Sequence, residues 1–195
     1  AEIIDALPDL KVIIRAGAGF NTIDIGQMHP ATWFGMDILM FIGGGPAGST
    51  VAALVAEAGH NVQLFERENF PRFSIGESLM PDTYWTFKRL GVLDKLKASA
   101  FPRKHSVQFF GKSGRGSAPF YFSDNNPHES SVTWQVQRGE FDLMLLDNAR
   151  DKGAEIHQGA RVLEVLFDGE RAIGVRAKLA DGQSQDFTAP IIVDA

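Results

Sequence analysis

The chain has 195 residues, 44% of them apolar, enough to bury the core of one ordinary domain or of a domain with an appendage. A formal net charge of −5 with scattered basic residues excludes the broad cationic face that nucleic acid requires. Without a cysteine there is no disulfide framework, thiolate metal site or cysteine nucleophile, and histidines 29, 60, 105, 128 and 157 lack ligand spacing, so no metal is expected.

Residues 3–24, IIDALPDLKVIIRAGAGFNTID, read as a strand at Leu10–Ile14 and a turn at Gly17 and Gly19. Residues 25–36 have no periodicity and read as a linker, which makes residues 1–36 an expected appendage and Met36 a candidate true start. The N-terminus lacks the basic-then-apolar order of a signal peptide. The longest apolar run, around Ile38–Ile42, is far too short for a bilayer, so a cytoplasmic protein without a membrane span is expected.

From Asp37 the patterning is strong. An apolar strand at Ile38–Ile42, a helix from Pro46 to Ala58 and a strand at Val62–Glu66 make a βαβ opening of an α/β fold. A loop through Asn69–Ser78 leads to a helix with Pro81 in its first turn, ending at Leu90 before Gly91, and then to a short helix at Leu93–Lys97. Ser106–Phe110, Ala118–Phe122 and Val132–Gln137 read together as one inserted antiparallel sheet, the start of a substrate subdomain at about residues 100–137. Its aromatic residues Phe109, Phe110, Phe120, Tyr121, Phe122 and Trp134 are expected to be core for the most part. GKSGRG (111–116) lacks the first glycine of a phosphate loop and reads as a hairpin turn. Helical spacing predicts a helix over Glu140–Lys152 capped by Gly153, followed by strands at Glu155–His157, Arg161–Phe167, Ile173–Leu179 and Ile191–Val193. Because the sequence stops just after that last strand, the domain is expected to be incomplete at its C-terminus.

The chemistry is concentrated in Gly43-Gly44-Gly45-Pro46-Ala47-Gly48, a G-x-G-x-x-G directly after a strand and opening a helix. Gly43 permits the tight turn, Gly45 lets a pyrophosphate approach, and Gly48 allows close helix–strand packing. The helix N-terminus offers unpaired N–H groups to phosphates, and Pro46 forfeits one that the helix would not use. Eighteen residues after Gly48, Glu66 ends the second strand where an acid accepts hydrogen bonds from an adenosine ribose and repels a 2′-phosphate. These features predict a Rossmann-like dinucleotide site without choosing between FAD and NAD.

GGGPAGS through Ser49, followed by a strand ending in Glu66-Arg67, resembles the FAD motif of hydroxybenzoate-hydroxylase-type flavoproteins. The stretch from Phe65, FERENFPRFSIGESLMPDTYWTFKRLGV, resembles flavin-dependent halogenases and geranylgeranyl-reductase-like enzymes, in which a Gly-Glu-Ser turn, here Gly76-Glu77-Ser78, lies near the flavin. Gln137-Arg138-Gly139-Glu140-Phe141-Asp142 matches that family's helix-leading arginine, making Arg138 a candidate flavin contact. Ala154–Val165 resembles the strand pair that meets the adenine, with Val162 the candidate contact.

This resemblance runs from about Asp37 to Ala195 and implies an FAD-dependent oxidoreductase. Its leading form is a halogenase using reduced FAD, dioxygen and chloride to form hypochlorous acid. A lysine conveys the electrophilic chlorine to a phenol-, pyrrole- or indole-like substrate, small or carrier-bound, and a separate flavin reductase is a candidate partner. Lys104, just ahead of an apolar strand in Phe101–Phe109, is the candidate lysine, and a buried, pKa-lowered amine would suit the step. A monooxygenase or alkene reductase of the same fold, or an inert FAD-binding fragment, are the alternatives. Residues 3–24 separately resemble D-2-hydroxyacid dehydrogenases, over only about one-ninth of the chain and without that family's dinucleotide fingerprint, so a fusion or gene-boundary artefact is expected there.

Overall fold

A computed structural model describes residues 38–195. The expected strand at Leu10–Ile14, the turn at Gly17 and Gly19, the linker 25–36 and the candidate start at Met36 lie outside these residues. The described chain divides into two compact units, residues 38–72 with 142–195, and Phe73–Phe141.

In the first unit, β1 (Leu39–Ile42) leads through the glycine turn to α1 (Pro46–Glu57) and β2 (Val62–Glu66). Leu39, Met40 and Phe41 have no exposed surface, as expected of a strand covered on both faces. Helix α1 starts at Pro46 because proline's fixed φ suits the first helical position, and its buried Ala52, Ala53 and Ala56 let the axis lie close to the sheet. The parallel sheet runs β11–β1–β2–β7, with β7 at Glu155–Gln158 and β11 at Ile191–Asp194. Leu39 faces Val62 on one side and Ile191 on the other, so β1 is central.

A three-stranded antiparallel sheet, ordered β10–β9–β8, comprises β8 (Arg161–Asp168), β9 (Arg171–Lys178) and β10 (Ser184–Thr188). Met40, Phe65 and Ile192 from the parallel sheet pack with Val175 and Ala177 of β9, which makes one core from two sheets. Burial of each large side chain there contributes roughly 1.5–3 kcal/mol. The β10 strand is absent from the sequence expectation: SQDFT offers one large apolar residue, Phe187, and its strand character comes from pairing with β9 rather than from its own pattern.

The second unit holds α2 (Thr83–Leu90) and α3 (Leu93–Ala98). Helix α2 begins two residues later than Pro81, because the Thr83 N–H and hydroxyl both donate to the Met80 carbonyl and close a turn first. The single antiparallel sheet expected here is instead two separate ladders. Strand β4 (Ser106–Val107) pairs with β5 (Phe120–Tyr121), whereas β6 (Thr133–Trp134) pairs with β3 (Arg103–Lys104). The aromatic expectation is corrected with it: Phe122 and Trp134 are buried, but Phe109, Phe110, Phe120 and Tyr121 are exposed, because a two-residue ladder has no second layer over it among the described residues. GKSGRG is a hairpin turn, closed by the Gly111 N–H on the Arg115 carbonyl (3.0 Å). Helix α4 (Arg138–Asp151) starts two residues ahead of Glu140.

The Tyr84 hydroxyl of α2 donates to the Glu129 carboxylate, and Lys97 Nζ donates to its other oxygen at 3.0 Å. Tyr84 first, then Lys97, holds the Glu129 carboxyl below its ordinary value. A carboxyl depressed on folding adds stability above its unfolded-state value, and this is lost as pH falls through the lower, folded one. Tyr84→Phe is therefore expected to melt below the wild type at neutral pH, with the gap closing in acid; melting curves taken down a pH series check it.

Candidate functional site

The glycine turn is built by packing within the first unit. Gly43 has φ +102°, and a Cβ on it would stand 2.4 Å from the Ala195 carbonyl oxygen. A Cβ on Gly48 would stand 2.0 Å from the Gly43 carbonyl oxygen, so α1 rests directly on the turn. Gly45 differs: its backbone is extended (φ −67°, ψ −178°), and a Cβ there would meet nothing nearer than Arg72 Nη2 at 3.6 Å. Neither conformation nor packing within the described chain requires glycine at 45. Open space at this position, beside first-turn amides that lie outside the helical ladder, is the cradle a pyrophosphate needs.

Other candidate residues brace this turn. Glu66 is buried, and its Oε2 accepts the Gly44 N–H at 2.8 Å while its Oε1 accepts the Glu68 N–H at 2.9 Å. Both oxygens keep acceptor capacity for a ribose hydroxyl. Ser49 is fully buried, and its hydroxyl donates to the Gly44 carbonyl at 2.9 Å, holding the turn from inside. Pro46 and Ala47 occupy the first helical turn. Arg67 points largely to solvent beside Glu68. Val162 lies on β8 opposite Ala177, with its side chain against the unit's core and a register shift immediately after it.

In the second unit Arg138 and Lys104 meet at the Gly76-Glu77-Ser78 turn. Gly76 has φ +93°, a conformation open to glycine at little cost, and Arg138 Nη1 lies 3.0 Å from where its Cβ would be. The Arg138 guanidinium donates to the Ile75 carbonyl. On the other side, Lys104 Nζ donates to Ser78 Oγ at 2.7 Å and to the Leu79 carbonyl at 3.1 Å. The Val136 N–H donates to the Glu77 carbonyl at 2.8 Å and the Leu79 N–H to the Trp134 carbonyl at 3.0 Å, which tie the turn to the strand leading into α4. The Glu77 side chain is exposed. Lys104 Nζ also stands 5.4 Å from the centre of the Phe122 ring, and partial burial lowers the amine below its ordinary value.

Arg72, beside Gly45, is not singled out by the sequence: it follows Gly45 by 27 positions in a loop without periodicity, and the fold brings the two together.

A βαβ unit with a strand-braced glycine turn at the head of its helix defines a dinucleotide-binding domain. Residues 36–195 match the family described as the FAD binding domain. The chain belongs to that family, and FAD is its cofactor. It is 34% identical over 173 residues to the 1H-pyrrole-2-carbonyl-(peptidyl-carrier protein) chlorinase of Pseudomonas fluorescens, covering 80% of this chain and 38% of that enzyme. Identity to the tryptophan 2-halogenase of Chondromyces crocatus is 34% over 158 residues, 80% of this chain and 29% of that one. Among solved structures, the FAD-dependent chondrochloren halogenase of a myxobacterium superposes with a TM-score of 0.76 at 43% identity, over 82% of this chain and 37% of the other. A flavoprotein/dehydrogenase from Cytophaga hutchinsonii gives 0.71 at 36% identity, over 81% and 38%. The chain thus spans between 29% and 38% of the length of these relatives. No helix among the described residues is long and apolar enough to cross a membrane.

Proposed function

We propose that the chain is the FAD-binding part of a flavin-dependent halogenase acting on a phenol-, pyrrole- or indole-like ring, small or carrier-bound, with a separate flavin reductase as partner and a cytoplasmic location. The observation that carries this reading is the meeting of Lys104 and Arg138 on the Gly76-Glu77-Ser78 turn, three separated segments that each resemble the halogenases. Gly43–Ser49 and Glu66 would hold the dinucleotide end of the cofactor, and Arg138 would steady the turn through Ile75. When bound, reduced FAD would supply the activation of dioxygen that, with chloride, yields hypochlorous acid.

The chain's own contribution is Lys104. Its neutral amine takes electrophilic chlorine from hypochlorous acid, releasing water, and passes it to a ring carbon, which then loses a proton. Partial burial favours the neutral amine, and Ser78 Oγ and the Leu79 carbonyl fix its position.

The test is the visible spectrum of the purified chain with FAD, followed by product analysis with a flavin reductase, chloride and a panel of aromatic substrates. Wild type should show bound flavin, and Gly45→Asp should not. The variant should fold normally, since aspartate is a favourable N-cap residue and the position has room, yet its carboxylate would occupy and repel the phosphate position. Chlorinated product establishes the halogenase reading. Hydroxylated product formed equally without chloride makes the protein a monooxygenase, and bound FAD with no product makes this chain a binding module.

A further inference from the structure

We propose that the hairpin of residues 106–121 in the second unit is a membrane-surface anchor: its phenylalanine rings enter the interfacial layer of an anionic lipid bilayer while Lys112 and Arg115 meet the lipid phosphates. The hairpin shares no residue with the glycine turn or with Lys104, so membrane attachment would be additional to the flavin chemistry.

Every residue from 108 to 121 is exposed. Neighbours in an extended ribbon project from opposite faces, and Phe109 and Phe110 are both 70% exposed, with Phe120 at 51% and Tyr121 at 47%. Neither face of the ribbon therefore rests on the core of its unit. Its backbone is nonetheless ordered: the Ser117 N–H donates to the Phe109 carbonyl at 2.8 Å, the Gly111 N–H to the Arg115 carbonyl at 3.0 Å, and Gln108 Nε2 to the Ser117 carbonyl at 2.8 Å. Four aromatic rings are thus held in water by a hydrogen-bonded frame, which is the mark of a surface that meets something apolar.

Charge indicates what that is. The chain carries −5 overall, yet it has no Asp or Glu from Lys95 to Ser123. Lys112 and Arg115 stand at the turn next to Phe109 and Phe110, and neither side chain has a hydrogen bond or ion pair among the described residues. The matching surface is anionic as well as apolar. A flat face on a folded protein would cover one side of the ribbon and leave the rings of the other in water, whereas a fluid bilayer surface accepts both. The order along the ribbon also fits. Tyr121 pairs with Ser106, farther from the turn than the Phe120–Val107 pair, so its hydroxyl stays at headgroup level while the phenylalanine rings go deeper.

The test is cosedimentation of the whole chain with vesicles of equal parts phosphatidylglycerol and phosphatidylcholine, and with phosphatidylcholine alone, at low and high salt. Wild type should sediment with the anionic vesicles, more weakly in high salt, and only slightly with the neutral ones. Lys112→Gln with Arg115→Gln should weaken binding roughly twentyfold, about fivefold for each cation, and Phe109→Ser with Phe110→Ser at least about tenfold. Arg171→Gln with Lys178→Gln, which removes the same charge from exposed positions on β9, should change binding little. All four substituted hairpin side chains are exposed, and melting curves check that the variants fold. Because the chain has no cysteine, Ser113→Cys and Ser184→Cys each take a single environment-sensitive dye; on anionic vesicles only the dye at 113 should shift to the blue. Wild type left in the supernatant with anionic vesicles overturns the proposal, which is the result expected if an acidic protein covers the hairpin instead. Binding that survives both hairpin variants overturns it too, as does an equal loss in the β9 variant, which would make net charge the cause.

Discussion

Gly48→Ala is expected to destabilise the protein by about 2–4 kcal/mol and to lose bound FAD, although alanine is the better helix former by about 1 kcal/mol. The new Cβ would stand 2.0 Å from the Gly43 carbonyl oxygen, 3.2 Å from the Gly43 carbonyl carbon and 3.3 Å from the Ala195 Cβ. Two of these are backbone atoms of the turn itself, so no side chain can rotate away to relieve the overlap. Helix α1 must lift from the turn, and the first-turn amides move with it, which is why stability and cofactor fall together. Denaturant titration and flavin spectra on the same sample check both halves. Gly45→Asp is the contrasting case, with cofactor lost and stability kept; a Gly48→Ala protein with the wild-type denaturation midpoint and bound flavin would show that α1 does not rest on the turn as described.

On the proposed halogenase reading, Lys104→Ala is expected to cut chlorination by roughly 10²–10⁴-fold, the usual cost of removing a group that acts on the reacting atoms, while leaving FAD bound. The two hydrogen bonds it loses, to Ser78 and Leu79, are at a partly exposed site and cost only about 1 kcal/mol each in stability. Lys104→Arg separates charge from chemistry: it keeps a cation beside Phe122, but a guanidinium stays protonated and offers no neutral amine, so it should fail as completely as alanine. Product chromatography, with bound flavin measured in parallel, checks the series. Chlorination that survives Lys104→Ala would remove the lysine from the mechanism.

The parts legible in the sequence are those fixed by neighbours along the chain. Strand, glycine turn, helix, strand and acid follow from local periodicity and turn chemistry, and β2 occupies Val62–Glu66 as read. The illegible parts are set by partners distant in sequence. Nothing in Arg103-Lys104 announces that it pairs with Thr133-Trp134 instead of joining the Ser106 hairpin. Glu66 shows the same limit within the site: position alone suggests a ribose acceptor, but the carboxylate also braces Gly44 and Glu68 from the strand end. Ser49 sits in the motif yet turns inward to Gly44. Lys104 is recognisable by its place ahead of an apolar strand, whereas its contact with Ser78 spans 26 positions and is a property of the fold.

The central strand has a consequence for how the protein is made. Leu39 pairs with Val62, only 23 residues along the chain (62 − 39), but its other neighbour, Ile191, is 152 residues further on (191 − 39), and Gly43 closes against Ala195. At about 5–20 residues per second, a ribosome takes roughly eight to thirty seconds to cover that distance. Throughout that interval one hydrogen-bonding edge of Leu39–Ile42 stands open on the nascent chain, an apolar strand in want of its last partner. Translation speed across residues 43–190, and a holding chaperone to cover the gap, should therefore influence the yield of folded protein.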